Sequence, residues 1–156
     1  MKNLVIVRHA ECGTNGRISD DGRRQMHRLF DQLSRIITAG TVLVLASTAS
    51  RATDSAEVLV REFECIDLEV VMEKHDLLWS DVHHREDIPA ALALLARASA
   101  RADTIVVVTH LEYAGELPER FTLQECWPES IPILGVDRGQ AVFLDCVNRR
   151  CRYLRS

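Results

Sequence analysis

A three-layer α/β/α sandwich around a mostly parallel central sheet is the fold class that this 156-residue sequence predicts. Short β-branched runs, Leu4-Val5-Ile6-Val7, Thr41-Val42-Leu43-Val44-Leu45 and Thr104-Ile105-Val106-Val107-Val108, alternate with longer stretches whose apolar residues recur at helical spacing. That is the pattern of parallel strands covered on both faces by crossover helices. Two of the runs lead into a histidine, in Arg8-His9-Ala10 and in Thr109-His110. Open α/β sheets bind ligands at the carboxyl edges of their strands, so both imidazoles are expected in one pocket.

The elements follow in order. A first strand covers about Asn3 to Arg8. Ser19 is a suitable N-cap before Asp20 and Asp21, whose charge suits a helix start. Met26, Leu29, Phe30, Leu33 and Ile37 then mark one helical face, with Arg23, Arg24, Arg28 and Asp31 pointing away. Gly40 is expected to close this helix and Thr41 to Leu45 to form the second strand. Ala52, Ala56, Leu59, Val60 and Phe63 give the next helix its stripe, and Leu68 to Val71 a third strand. Between Glu73 and Asp87 the periodicity stops, which reads as an irregular loop near the pocket. Asp87-Ile88-Pro89 opens another helix with the stripe Ile88, Ala91, Leu92, Leu95 and Ala96, leading to the Ile105 strand. After His110 comes a weakly helical segment. Ile131 to Val136 and Ala141 to Cys146, around Asp137-Arg138-Gly139-Gln140, read as an edge hairpin.

Composition narrows the function. The length suits a single domain spanning residues 1–156, and 47% apolar residues suffice for a real core. A net charge of −4 argues against nucleic acid as a partner, because affinity for a polyanion comes from clustered Lys and Arg. No apolar run approaches the roughly 20 residues of a membrane span, and no basic leader precedes an apolar core. A cytoplasmic protein without a membrane partner is expected. Cys12, Cys65, Cys126, Cys146 and Cys151 are odd in number and scattered, as reduced thiols would be. Oligomeric state has no signature.

An arginine beside a strand-end histidine is a planar, permanently charged fork suited to phosphate oxygens. Arg8-His9-Ala10-Glu11-Cys12-Gly13-Thr14-Asn15 follows the block Arg-His-Gly-Glu with Ser or Thr next and Asn further on. Ile18-Ser19-Asp20-Asp21-Gly22-Arg23-Arg24-Gln25 follows Leu-Thr-x-x-Gly-x-x-Gln, and Ser47 to Ala56 follows Ser-x-x-x-Arg-Ala-x-x-Thr-Ala. Val71-Met72-Glu73 with Trp79 matches Leu-x-Glu with a later Trp, and Thr109-His110-Leu111 matches Ser-His-Gly in part. In this set and order the blocks resemble the histidine phosphatase, or phosphoglycerate mutase-like, superfamily. The chain is in the short, SixA-like size class.

The resemblance implies a phosphoglycerate mutase-like fold and a metal-independent phosphatase with no cofactor, working through a phosphohistidine on His9. Arg8, Asn15, Arg51 and His110 would hold the phosphoryl oxygens, with His110 also counted as catalytic. Glu73 would be the acid that protonates the leaving group, with Asp76 and Asp81 as alternatives in the same loop. The long insertions and tail of mutases are missing, which favours hydrolysis. The substrate would be a phosphorylated small molecule or a phosphoprotein. If it were a phosphohistidine, as for phosphatases of the SixA type, imidazole would leave easily and the acid would matter less.

Each assignment has a plainer alternative. Arg8 and Arg51 could pair with Glu11 or Asp54, Asn15 could serve a turn before Gly16, and Glu73 could be a solvated loop charge. Ala10 replaces Gly, which requires that its φ not be positive. Leu111 also replaces Gly, and Cys12 replaces a hydroxyl residue. Were Ala10 and Leu111 to spoil the geometry, a catalytically silent phosphate-binding or scaffold protein would remain. The His- and Asp-rich stretch from His75 to Asp87 lacks His-x-x-x-His or His-Glu-x-x-His spacing, so it reads as shaping substrate access, with no metal site.

Overall fold

Successive side chains of a strand point to opposite faces, and β1 (Asn3–Arg8) sends Leu4 and Ile6 into one core and Val5 and Val7 into another. With no face left to water, its sequence is an unbroken apolar run. In the computed structural model, which describes residues 1–81, 83–129, 131–132 and 135–155, the chain continues through ten further elements. They are α1 (Asp20–Leu33), β2 (Thr41–Ser47), α2 (Ser50–Cys65), β3 (Glu69–His75), a 3₁₀ turn (Asp76–Leu78), α3 (Ile88–Ala98), β4 (Thr104–Thr109), α4 (Leu111–Gln124), β5 (Ala141–Asp145) and β6 (Arg150–Leu154).

The six strands form one sheet in the order β3-β2-β4-β1-β5-β6. The first four are parallel to one another; β5 runs antiparallel to β1, and β6 to β5. Met26 and Leu29 of α1 and Leu59 and Phe63 of α2 share a core with Val5, Val44 and Val106. On the other face Leu95 of α3 and Tyr113 and Leu117 of α4 pack with Leu4, Leu45 and Ile105. Each such side chain, removed from water, stabilises the fold by about 1.5–3 kcal/mol. Ser19 caps α1, its hydroxyl accepting from Gly22 N at 3.1 Å, and Asp87 caps α3, accepting from Ala90 N at 2.9 Å.

Four details differ from the sequence reading. α1 stops at Leu33 and Ser34 is its C-cap, so Ile37 and Gly40 belong to the turn that follows. Ile37 is buried nonetheless, and Gly40, at φ +98°, lets Asp103 approach where a side chain would collide with it. The α3 stripe runs through Leu94 and Ala98 and leaves Ala96 exposed. β3 extends to His75, so Glu73 is a strand residue; as an edge strand it alternates weakly, and its polar residues mask it. The hairpin partner of β5 is β6, reached through residues 146–149. Of the expected strand from Ile131 to Val136, Ile133 and Leu134 lie outside the described residues, and the other four are in no strand.

Candidate active site

Register brings the histidines together. β1 and β4 are parallel neighbours with Arg8 opposite Thr109, so each strand ends one residue before its histidine, and His9 N donates to Thr109 O at 2.9 Å. The helices after β1 and β2 cover one face and those after β3 and β4 the other, so the chain changes direction between β1 and β4. That is the switch point at which such sheets bind ligands. His9 and His110 are buried, with ring centroids 5.2 Å apart in an edge-on arrangement.

Arg51, in the first turn of α2, lies between them. Its Nε donates to His9 Nε2 at 3.1 Å, and its Nη2 contacts His110 Nδ1 at 3.2 Å. A guanidinium only donates, which fixes the tautomers. His9 carries its proton on Nδ1, 2.8 Å from Ala10 O, and presents a lone pair at Nε2. His110 carries its proton on Nε2, 3.0 Å from Ser47 Oγ. Burial lowers both pKa values, helped for His9 by Arg51 and Arg8 and for His110 by His9 and Arg51. They fall from 6.5 to about 4 for His9 and about 3 for His110, so both rings are neutral at neutral pH.

α2 is fastened to the strand ends. Ser55 Oγ donates to Arg51 O at 2.7 Å and accepts from Ala10 N at 3.0 Å, tying the residue after His9 to the helix that carries Arg51. Thr53 Oγ1 donates to Ser47 O at 3.1 Å. Asp54 accepts from Arg17 Nε at 2.7 Å and from Ile18 N at 3.2 Å, so its carboxylate braces the 11–18 loop and leaves Arg51 free. Ala10 is fully buried and is not among the described non-glycine residues with positive φ, so its methyl group is accommodated. Leu111 is exposed at the start of α4.

The remaining residues expected in the site are placed differently. Arg8 Nη1 donates to Val136 O at 3.0 Å, while its Nε is buried without a partner among the described residues. Asn15 is exposed and accepts from Arg17 N at 3.0 Å, the local turn role. Glu73 is engaged by Arg101, through both guanidinium nitrogens, and by His75 Nε2 at 3.4 Å. The Arg101 hydrogen bond holds its carboxyl below the usual carboxylate range. Among the described residues no hydrogen bond joins Glu73 or Asn15 to His9 or His110. Asp76 accepts from Thr48 Oγ1 at 2.7 Å. Asp81 accepts from His84 Nδ1 and Trp79 Nε1, both at 2.9 Å, and from His83 N at 2.8 Å; with His84 the foremost cause, these bonds hold it well below an ordinary Asp. Trp79 stacks on the His84 ring at 4.6 Å.

Two groups escaped the sequence reading. Ser47 is the hydroxyl that orients His110, and its position at the end of a strand beside β4 was the available signal. Arg138 pairs with Glu11 beside β1, although the sequence marks it only as part of a turn. Two wide cavities, of about 340 and 670 Å³, are lined by Leu95, Phe121 and Cys146 and by Pro132, Arg150 and Tyr153 among others, and His9 and His110 line neither.

No family profile and no curated protein matches this sequence. Solved structures do match it. A structure assigned to the phosphohistidine phosphatase SixA of Agrobacterium tumefaciens superposes with a TM-score of 0.64 at 17% identity, covering 98% of this chain and 95% of that one. A mycobacterial glucosyl-3-phosphoglycerate phosphatase in complex with vanadate gives 0.64 at 16% identity, covering 98% and 97%. The α-ribazole phosphatase of Shigella flexneri gives 0.55 at 17%, covering 99% and 96%. These are phosphatases of the histidine phosphatase superfamily, and this chain has their phosphoglycerate mutase-like fold over nearly its whole length.

Proposed function

We propose that this protein is a histidine phosphatase that hydrolyses phosphorylated substrates through a phosphohistidine on His9. One observation carries the reading: a single guanidinium, that of Arg51, touches the Nε2 lone pair of His9 and Nδ1 of His110, with His9 Nδ1–H fixed on a backbone carbonyl. A neutral imidazole held in this tautomer is a nucleophile at neutral pH. Phosphoryl transfer asks the protein mainly to position the groups and to stabilise charge on the equatorial oxygens. When a phosphoryl group enters, the Arg51 donors that cap the two rings turn onto its oxygens, and Arg8 Nε, without a partner among the described residues, supplies another donor.

His9 Nε2 then attacks phosphorus as the bond to the leaving atom breaks, and that atom takes a proton from water. Water attacks the phosphohistidine and gives up a proton to the solvent, the P–N bond breaks with its electrons returning to Nε2, and inorganic phosphate leaves. The proposed steps call on groups of the chain and water and on no metal. Turnover of an aryl phosphate in EDTA tests the whole reading. The wild type is expected to retain its rate and His9→Ala to lose it; equal rates for the two proteins would remove the nucleophile.

A second reading concerns the substrate. Glu73 is tied to Arg101 and Asp76 to the Thr48 hydroxyl, and the carboxyls of Glu73 and Asp81 are held in the ionised form, so the expected acids are engaged elsewhere rather than set to protonate an alkoxide. This favours a leaving group that departs readily, and a protein phosphohistidine fits, as in phosphatases of the SixA type. A phosphohistidine peptide assayed beside alkyl phosphates would be hydrolysed faster; faster turnover of the alkyl esters would reverse the assignment.

A further inference from the structure

We propose that Arg138 is a phosphate ligand of the His9 site, brought there by the turn before β5 and held ready by Glu11; the inference rests on the phosphatase reading above. The turn is fastened to the exit of β1. Gly139 N donates to Arg8 O and to His9 O, both at 3.2 Å, Arg8 N donates to Gln140 O at 3.1 Å, and Arg8 Nη1 reaches Val136 O. Residues on both sides of Arg138 are thus bonded to the nucleophile's own segment. Gly139, at φ +75°, lets the turn close on Gln25, because a Cβ there would lie 2.7 Å from that residue's Cβ. Gln25 in turn accepts from Glu11 N at 2.8 Å, so the turn, the start of the 11–18 loop and α1 are locked together.

Within this frame the Arg138 guanidinium pairs with Glu11, two residues beyond His9, and both side chains are 41% exposed. An ion pair so open to water contributes little to stability. Burial is the main reason that His9 and Arg8 titrate low, and the charge of Arg138 is close enough to add to both shifts. Arg8, Arg51 and Arg138 therefore lie near one neutral imidazole, with Asp137, Glu112 and Glu11 the carboxylates that face Arg8. A phosphoryl dianion at His9 Nε2 would relieve the repulsion among the three arginines. Arg138 would exchange the Glu11 carboxylate for two phosphoryl oxygens, a geometry that its planar fork matches.

Inorganic phosphate binding, measured by calorimetry on the full chain, separates a ligand from a structural ion pair. Arg138→Ala and Glu11→Gln break the same pair, so a merely structural pair would make both variants alike. If Arg138 holds phosphate, Arg138→Ala weakens binding about tenfold, equivalent to about 1.4 kcal/mol. Arg138→Lys, keeping the charge without the fork, is intermediate, and Glu11→Gln binds as tightly as the wild type or more tightly, since the competing carboxylate is gone. Equal weakening by Arg138→Ala and Glu11→Gln, or an unchanged Kd in Arg138→Ala, overturns the proposal. If Arg138→Ala does not fold, weaker binding in Glu11→Gln than in the wild type overturns it. A wild type that forms a phosphoenzyme while Arg138→Ala binds phosphate normally refutes this inference alone. A wild type that neither binds phosphate nor forms the adduct refutes the phosphatase reading as well.

Discussion

His9, His110 and Arg51 were readable because each occupies a position that secondary structure fixes: two ends of neighbouring parallel strands and the first turn of the following helix. Side-chain partners set by remote segments were not readable. Glu73 matches its motif in sequence, yet Arg101, far along the chain and just before β4, takes its carboxylate. Arg138 stands in a turn whose type says nothing of what the arginine faces. The Glu73 arrangement leads to a prediction. Removal of a working general acid costs roughly 10²–10⁴-fold in kcat. Glu73→Gln is expected to change kcat on an alkyl phosphate, whose alkoxide needs a proton to leave, by less than about tenfold, because the ion-paired carboxylate has no proton to give. A loss in the larger range, measured by steady-state kinetics, would restore Glu73 as the acid.

At the level of elements, α1, α2 and the strand ends act as one frame. Gly22 of α1 shows how tightly it is closed: a Cβ there would lie 2.2 Å from Glu11 O. The same carbonyl accepts from Ser19 N at 2.9 Å. Gly22→Ala gains about 1 kcal/mol of helix propensity but must push α1 off the 9–11 segment, an overpacking cost of about 1–3 kcal/mol or more. The helix moves away from the segment that carries His9, so the variant is expected to melt lower than the wild type by a few degrees, at about 2–4 °C per kcal/mol for a domain of this size. A higher melting temperature would show that α1 is not seated by this contact. The elements that pack on both faces were the most legible ones. β3 and β6, which lie at the sheet edges and carry Glu69, Lys74, Arg150 and Arg152 toward solvent, were read short or missed, because half-exposed strands lose the apolar pattern on which the reading depends.

For the molecule as a whole, none of the described helices is long and apolar enough to cross a membrane. The sheet buries the imidazoles of His9 and His110 as neutral groups, and this links stability to pH. Both folded pKa values, about 4 for His9 and about 3 for His110, lie below the ordinary 6.5. Below about pH 6.5 the unfolded chain binds protons that the folded chain refuses, so stability falls as pH drops from there toward the folded values. Calorimetric melting across that window should show a falling melting temperature, with a shallower slope in a His9→Asn, His110→Gln double variant; the same slope in both proteins would contradict the burial of neutral rings. Covalent phosphorylation of His9 can be caught by rapid quench during turnover of an aryl phosphate, followed by peptide mass mapping under alkaline conditions. A phosphoryl group is expected on the peptide carrying His9, lost on mild acid treatment and absent from His9→Ala. Turnover with no covalent adduct, or an adduct on a different residue, would contradict a phosphohistidine on His9.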